Sequence, residues 1–183
     1  MRFTETPLKG AYIIDLNPIS DERGMFMRTY CKNEFAEIGH DKEFVQFNQS
    51  VTRQTGTIRG MHYQVPPFSE IKLLRCIRGS VFDVIIDLRQ DSPTFLQYFS
   101  VELSERNMLS LYIPQGFAHG FQTLEDNTQL IYHHSAFYTP GFEAGIRYND
   151  PAIGINWPLS VSVITEKDKN HPLLNNTFKG ITL

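Results

Sequence analysis

Short apolar or alternating runs recur along the chain, each closed by a cluster of turn-forming residues. The runs cover positions 11–16, 25–30, 44–51, 57–64, 72–77, 81–88, 98–103, 108–113, 120–124 and 128–135. Between them lie Asp21-Glu22-Arg23-Gly24, Pro66-Pro67, Arg78-Gly79, Asp91-Ser92-Pro93, Pro114-Gln115-Gly116 and Thr139-Pro140-Gly141. Runs this short, spaced this evenly, predict strands of a β-sandwich or barrel. Helix is scarce. Asn33 can cap a short helix through Phe35 and Ile38 that stops at Gly39. Thr165-Glu166-Lys167-Asp168 resembles a capping box at a second. The expectation is an all-β chain: a jelly-roll barrel of two antiparallel sheets with a few short helices.

Composition narrows this picture. A chain of 183 residues fits one domain, 1–183, against a prior of about 150 per domain. Hydrophobic residues make up 41% and charged residues 20%, enough for a sizeable core and against disorder. A net charge of -3 speaks against a nucleic-acid partner or a membrane surface. The longest nearly apolar run, 81–88, is broken by Asp83 and Asp87 and is too short to span a bilayer. The start, MRFTETPLKG, shows no apolar signal-peptide region, and Cys31 and Cys76 make no disulfide framework. A cytoplasmic location is expected.

Chemistry enters at Pro114-Gln-Gly116-Phe-Ala-His119, which resembles half of the cupin signature. The other half in metal cupins is a Gly, five residues, His-x-His and a nearby Glu. Here Gly56 leads to His62, but Gln64 takes the second His position, and Phe68 or Ser69 the Glu position. A catalytic metal site usually keeps three protein ligands, so the frame reads as a cupin barrel without its metal, with His62 free to act as acid or base. A metal cupin using His62, His119 and either His133 or His134 is the rival reading. Adjacent strand residues face opposite ways, so His133 and His134 would rarely share an ion. A silent sugar- or nucleotide-binding module is a third.

A wider set of motifs appears in order. Asp21-Glu-Arg23-Gly24, Arg59-Gly-Met-His62-Tyr-Gln64, Lys72-Leu-Leu-Arg75-Cys76, Tyr112-Ile-Pro114-Gln-Gly116-Phe-Ala-His119-Gly120, Gly145-Ile-Arg147-Tyr-Asn-Asp150-Pro, Trp157-Pro158 and Glu166-Lys-Asp168 span nearly the whole chain. Together they resemble the dTDP-4-dehydrorhamnose 3,5-epimerase family. That resemblance implies a metal-independent epimerase of a nucleotide-linked 4-keto-6-deoxyhexose, with no cofactor. It implies a homodimer with exchanged N-terminal strands and sites drawing on both chains. Its residue roles carry over position by position. His62 is the base, a role that suits an imidazole of ordinary pKa about 6.5. Asp168 orients it, Lys72 stands by the enolate oxygen, and Tyr132 is the acid on the opposite face. Arg23 and Arg59 contact the nucleotide; Gln46, Asn48, His119, Glu143 and Lys167 complete the binding set. Arg28 and His133 depart from the family pattern, where many members carry Glu and Lys. Arg23, Arg28, Arg59 and Lys72 would then form a small positive cluster in a near-neutral chain.

Each residue also has a plainer explanation. Tyr132 is one of 8 tyrosines, for which packing is the default. Asp168 also reads as a helix cap alone, Lys72 as an edge lysine guarding against aggregation, Arg23 as a polar turn, and His119 as a satisfied core histidine. Asp83 and Asp87 carry no defensible catalytic role. In a regular strand, Arg59 and His62 point to opposite faces. Both can reach one substrate only with a bulge near Gly60, or with Arg59 serving a neighbouring subunit.

Overall fold

The computed structural model describes residues 1–175 and 177–183. Its strands are β1 (Arg2–Glu5), β2 (Tyr12–Asp15), β3 (Ile19–Asp21), β4 (Gly24–Phe26), β5 (Gln46–Thr52), β6 (Ile58–Gln64), β7 (Lys72–Arg78), β8 (Ser80–Asp87), β9 (Tyr98–Ser104), β10 (Leu109–Ile113), β11 (Phe117–Thr123), β12 (Thr128–His134) and β13 (Glu143–Gly145). One antiparallel sheet runs β1-β2-β10-β7-β12-β5, and a second β13-β6-β11-β8-β9. Strands β3 and β4 pair only with each other. Helix is limited to α1 (Lys32–Phe35), a 3-10 turn at Ala36–Ile38 and α2 (Glu166–Lys169). The all-β, two-sheet jelly-roll expectation holds, and each of the ten apolar runs overlaps a strand. β1, β3 and β13 were not foreseen: at three or four residues they show no alternation of their own, and unlike the equally short β2 and β4 they overlap no apolar run.

One capping expectation fails. Cys31, not Asn33, occupies the N-cap of α1, and no side chain caps it. Gly39 does end the segment, with φ of 78°, the left-handed region glycine adopts without steric cost. At α2 the cap is as expected: Thr165 Oγ1 accepts the Asp168 N–H at 3.1 Å.

The central strands of both sheets are buried on both faces. Between the sheets lie Leu74, Cys76, Val81, Ile85, Leu111 and Leu130. Behind the first sheet, Ile14, Leu73 and Tyr112 pack under Phe35 of α1. Behind the second, Met61, Val84 and Ile86 pack under the late-chain residues Ile146, Ile153 and Ile181. Burial on both sides explains why β8 reads as a continuous apolar run rather than an alternating one. Cys76 is part of this core, and burial pushes its thiol up to about 11, which leaves it inert. Among the described residues no helix is long and apolar enough to cross a membrane.

The expected bulge is present. His62 pairs with His119, but Arg59 pairs with Phe121, so β6 spends two residues where β11 spends one. That extra residue brings Arg59 and His62 to the same face. Two glycines make the kink possible. Gly60 has φ of 123°, and a Cβ there would lie 2.5 Å from Gly120 Cα; a Cβ on Gly120 would lie 2.7 Å from Arg59 O. Gly60→Ala therefore forces backbone apart, whereas Gly39→Ala meets only the left-handed φ in open space. In urea unfolding, Gly39→Ala should cost about 1 kcal/mol and Gly60→Ala should cost more, about 2–4 kcal/mol. Equal costs would show that the bulge tolerates a side chain.

Candidate active site

At one end of the inter-sheet gap the apolar core gives way to polar side chains, around a cleft of about 420 Å³. Register places them. On the first sheet, His134 lies directly opposite Lys72 on β7 and Gln46 on β5, and Tyr132 opposite Asn48. Residues paired in this way share a face, so Lys72, Tyr132, His134 and Asn48 form one wall. The bulge puts Arg59 and His62 on the other, beside His119 of β11. The end of the chain closes the cleft with Thr165, Lys167 and Asp168.

His62 Nε2 donates to Asp168 Oδ1 at 2.7 Å. With that nitrogen protonated, Nδ1 carries the lone pair. The other Asp168 oxygen accepts the Gly60 N–H at 3.2 Å. Burial alone would raise the Asp168 carboxyl, but the hydrogen bond and charge of His62, with the Gly60 N–H, outweigh it and hold it below the ordinary carboxylate range. Asp168 is therefore more than a cap: its backbone serves the helix and its carboxylate serves His62. His171 stands behind, its Nε2 3.7 Å from Asp168 Oδ1.

Tyr132 is half-buried against its own sheet, its hydroxyl 3.1 Å from Ser50 Oγ. Burial drives its phenol well above the ordinary value, against the Ser50 bond, so it keeps its proton. Lys72 is no edge lysine: β7 is an interior strand, between β10 and β12. Its ammonium donates to His62 O at 3.4 Å and pairs with Glu70 at 3.2 Å. His119 is both core and site: it lines the cleft and its Nε2 donates to Asp83 at 2.9 Å. Burial pushes the Asp83 carboxyl up, with His119 opposing.

The remaining expected residues divide. Arg59, Asn48 and Lys167 line the cleft. Arg59 is steadied by Thr52 Oγ1 at 3.1 Å. Glu143 accepts from Lys167 at 2.9 Å and from the Tyr138 hydroxyl. Gln46 donates to Asn48 Oδ1 at 3.4 Å and accepts the Tyr138 N–H at 3.0 Å. Arg23 and Arg28 are not in this cleft. Arg23 pairs with Asp21 in the β3–β4 turn, and Arg28 with Glu34 at 2.6 Å, so the expected four-residue positive cluster does not assemble within one chain.

Sequence reasoning gave Asp83 no role, passed over Glu70 and Ser50, and weighed His134 only as a metal ligand. Asp83 had a signal: an acid inside an apolar strand buried on both faces needs a partner. Glu70 stands two residues before Lys72, but outside the strand, so no period pointed to it.

The rival metal set does not converge. His119 is committed to Asp83 and His134 to Glu70 at 2.7 Å, while His133 turns to the opposite face, against Leu73 O and the Phe47 ring. Gln64, at the missing ligand position, is a structural clamp, donating to Phe68 O and Phe137 O and accepting from Thr139 N. Among the described residues, the group with ligand atoms close enough to share an ion is instead His62, Asp168 and His171.

The family model described as dTDP-4-dehydrorhamnose 3,5-epimerase matches residues 5–176. The dTDP-4-dehydrorhamnose 3,5-epimerase of Methanothermobacter thermautotrophicus is 43% identical over 179 residues, covering 96% of both chains. The crystal structure of the enzyme of that name from Elizabethkingia anophelis superposes with a TM-score of 0.92 at 37% identity, over 97% of this chain and 98% of the other. The dTDP-6-deoxy-D-glucose-3,5-epimerase of Legionella pneumophila, solved in complex with dTDP-4-keto-L-rhamnose, gives 0.90 at 37% identity, over 96% and 94%.

The His62–Asp168 bond fixes a tautomer that can be observed. At pH 8, long-range proton–nitrogen correlation spectra should show His62 with its proton on Nε2, and Asp168→Ala should remove that preference. A proton on Nδ1 in the unaltered protein would contradict the geometry.

Proposed function

The chain belongs to the dTDP-4-dehydrorhamnose 3,5-epimerase family and is an isomerase of dTDP-sugar synthesis; from that premise we propose how its cleft works and on what. The substrate is dTDP-4-dehydro-6-deoxyglucose and the product dTDP-4-dehydrorhamnose. The ketone at C4 acidifies the protons on C3 and C5. Inversion at either carbon takes a proton from one face of the sugar and returns one to the other, through an enolate.

The observation that carries this reading is that His62 and Tyr132 stand on opposing sheets with the cleft between them. His62 removes the proton; the Asp168 carboxylate stabilises the imidazolium that results. Negative charge gathers on the C4 oxygen, and Lys72 places a fixed positive charge on the wall to meet it. Tyr132, protonated until a carbanion-like carbon demands the proton, delivers it from the other side. Each step is proton transfer, with no change of oxidation state.

The diphosphate needs cations in a forked or pointed geometry. Arg59 and Lys167 supply them at the cleft, and Asn48, Gln46, His119 and Glu143 offer hydrogen bonds to sugar and nucleoside. Arg23 reaches a cleft only through a second copy. Its hairpin, β3–β4, pairs with no other strand and exposes Ile19 at 70% and Phe26 at 73%. Phe47 and Val51 lie bare on the outer face of β5. Apolar surface of this kind marks a partner site. The chain is therefore proposed as one domain, 1–183, that forms a homodimer with the hairpin crossing to the partner. Within the same chain β1 pairs with β2 and β2 with β10, which leaves β3–β4 as the segment free to exchange.

In heavy water, the enzyme should place deuterium at both C3 and C5 of the substrate. Label at C3 alone would make it a 3-epimerase, and label at neither carbon would sink the reading. His62→Ala should slow exchange about 10²–10⁴-fold, the usual weight of a general base. Light scattering should give a dimer of 42 kDa, twice the 21.1 kDa chain, and Phe26→Asp should shift it toward monomer while weakening dTDP binding. A monomer that binds dTDP fully would contradict the exchanged hairpin.

A further inference from the structure

The proton-transfer scheme leaves several largely buried groups without a task, and Glu70 is the one beside Lys72. Glu70 lies two residues before Lys72, with its side chain only 10% exposed. Its Oε1 meets the Lys72 ammonium at 3.2 Å, and its Oε2 accepts from His134 Nδ1 at 2.7 Å. His134 sits directly across from Lys72 on the neighbouring strand. Its other nitrogen, Nε2, accepts from Asn48 Nδ2 at 3.2 Å. One ion pair and two hydrogen bonds thus link four side chains along the first-sheet wall: Lys72, Glu70, His134, Asn48. Burial alone would raise the Glu70 carboxyl, but His134 and Lys72 outweigh it and hold it below its ordinary value, so it stays ionised.

We propose that Glu70 and His134 are positioning residues for Lys72: Glu70 holds the ammonium where the enolate oxygen forms, and His134 holds Glu70. The inference rests on the epimerase reading above. Lysine carries its charge on a flexible four-carbon stem. A charge stabilises a transition state most when it is already in place and need not reorganise. Lys72 has one other polar contact, the 3.4 Å bond to His62 O, which is too long to fix it. Glu70 supplies the missing anchor. A carboxylate beside the ammonium also offsets part of its field, so the gain is geometric rather than one of added charge. Glutamine keeps an oxygen for the ammonium and should substitute well; alanine should not. The tie through Asn48 joins this anchor to β5, the strand that meets the substrate.

The test is a double-mutant cycle on dTDP-4-dehydro-6-deoxyglucose, with kcat and KM for each variant and the dTDP Kd from calorimetry. Glu70→Ala should lower kcat ten- to a hundredfold with KM and Kd within threefold of the unaltered enzyme. Glu70→Gln should recover kcat to within fivefold. In a Lys72→Ala background, Glu70→Ala should cost nothing further, because it acts through Lys72. Three results overturn the proposal: kcat within twofold in Glu70→Ala, an equal loss in dTDP affinity, or an undiminished loss in the Lys72→Ala background. If Glu70→Ala does not fold, His134→Ala carries the same cycle. A three- to tenfold kcat loss that vanishes without Lys72 supports the proposal; no loss, or one that persists, overturns it. An unaltered enzyme that never turns over the substrate would sink the epimerase reading and this inference with it. Full activity in both the unaltered enzyme and Glu70→Ala would sink this inference alone.

Discussion

The Asp168 carboxylate is the contact on which the site depends. One oxygen takes the N–H of Gly60 at the bulge, and the other takes the ring of His62. A short helix near the end of the chain is thereby tied to a kink in β6, more than a hundred residues earlier. The bulge sets which way His62 faces, and the carboxylate sets which nitrogen carries its proton. The helix in turn needs only Asp168's backbone N–H for its cap, so the side chain is free for this duty. Burial makes the arrangement effective, since a charge–dipole contact is stronger where water is excluded.

The two-sheet barrel does the rest of the work by geometry. Epimerisation needs chemistry on two faces of one carbon, and two facing sheets offer two faces. The charged groups that line the gap come in acid–base sets: His62 with Asp168, His119 with Asp83, and Lys72 with Glu70 and His134. Buried charge survives only when paired in this way. Arg59 and Lys167 stand at the cleft rather than in the dry core, so a chain of net charge -3 places positive charge there without a basic surface.

Much of this was legible in the sequence, for identifiable reasons. Ten strands announced themselves because each overlaps an apolar run beside a turn cluster. β1, β3 and β13 did not, because three or four residues show no period of their own and no apolar run extends them. The bulge could be deduced: Arg59 and His62 cannot share a face in a regular strand, and Gly60 stood between them. Asp168 and Tyr132 were reached through motif order, since their spacing alone suggested a cap and a packed ring. Glu70 and His134 were missed because their meaning lies in strand register, which puts His134 across from Lys72 only once β12 and β7 are paired. Arg28 was misplaced for the same reason. Its charge invited a place in the cleft, and only the fold shows it spent on Glu34.

Base and acid are proposed to work from opposite walls. This is tested most directly by Tyr132→Phe in heavy water, following label uptake and configuration at C3 and C5 together. His62 is half-exposed and can trade its proton with solvent. Tyr132→Phe should therefore take up deuterium while inverting little, the proton returning to the face it left. Inversion at the rate of the unaltered enzyme would contradict the assignment of Tyr132 and, with it, the two-wall account.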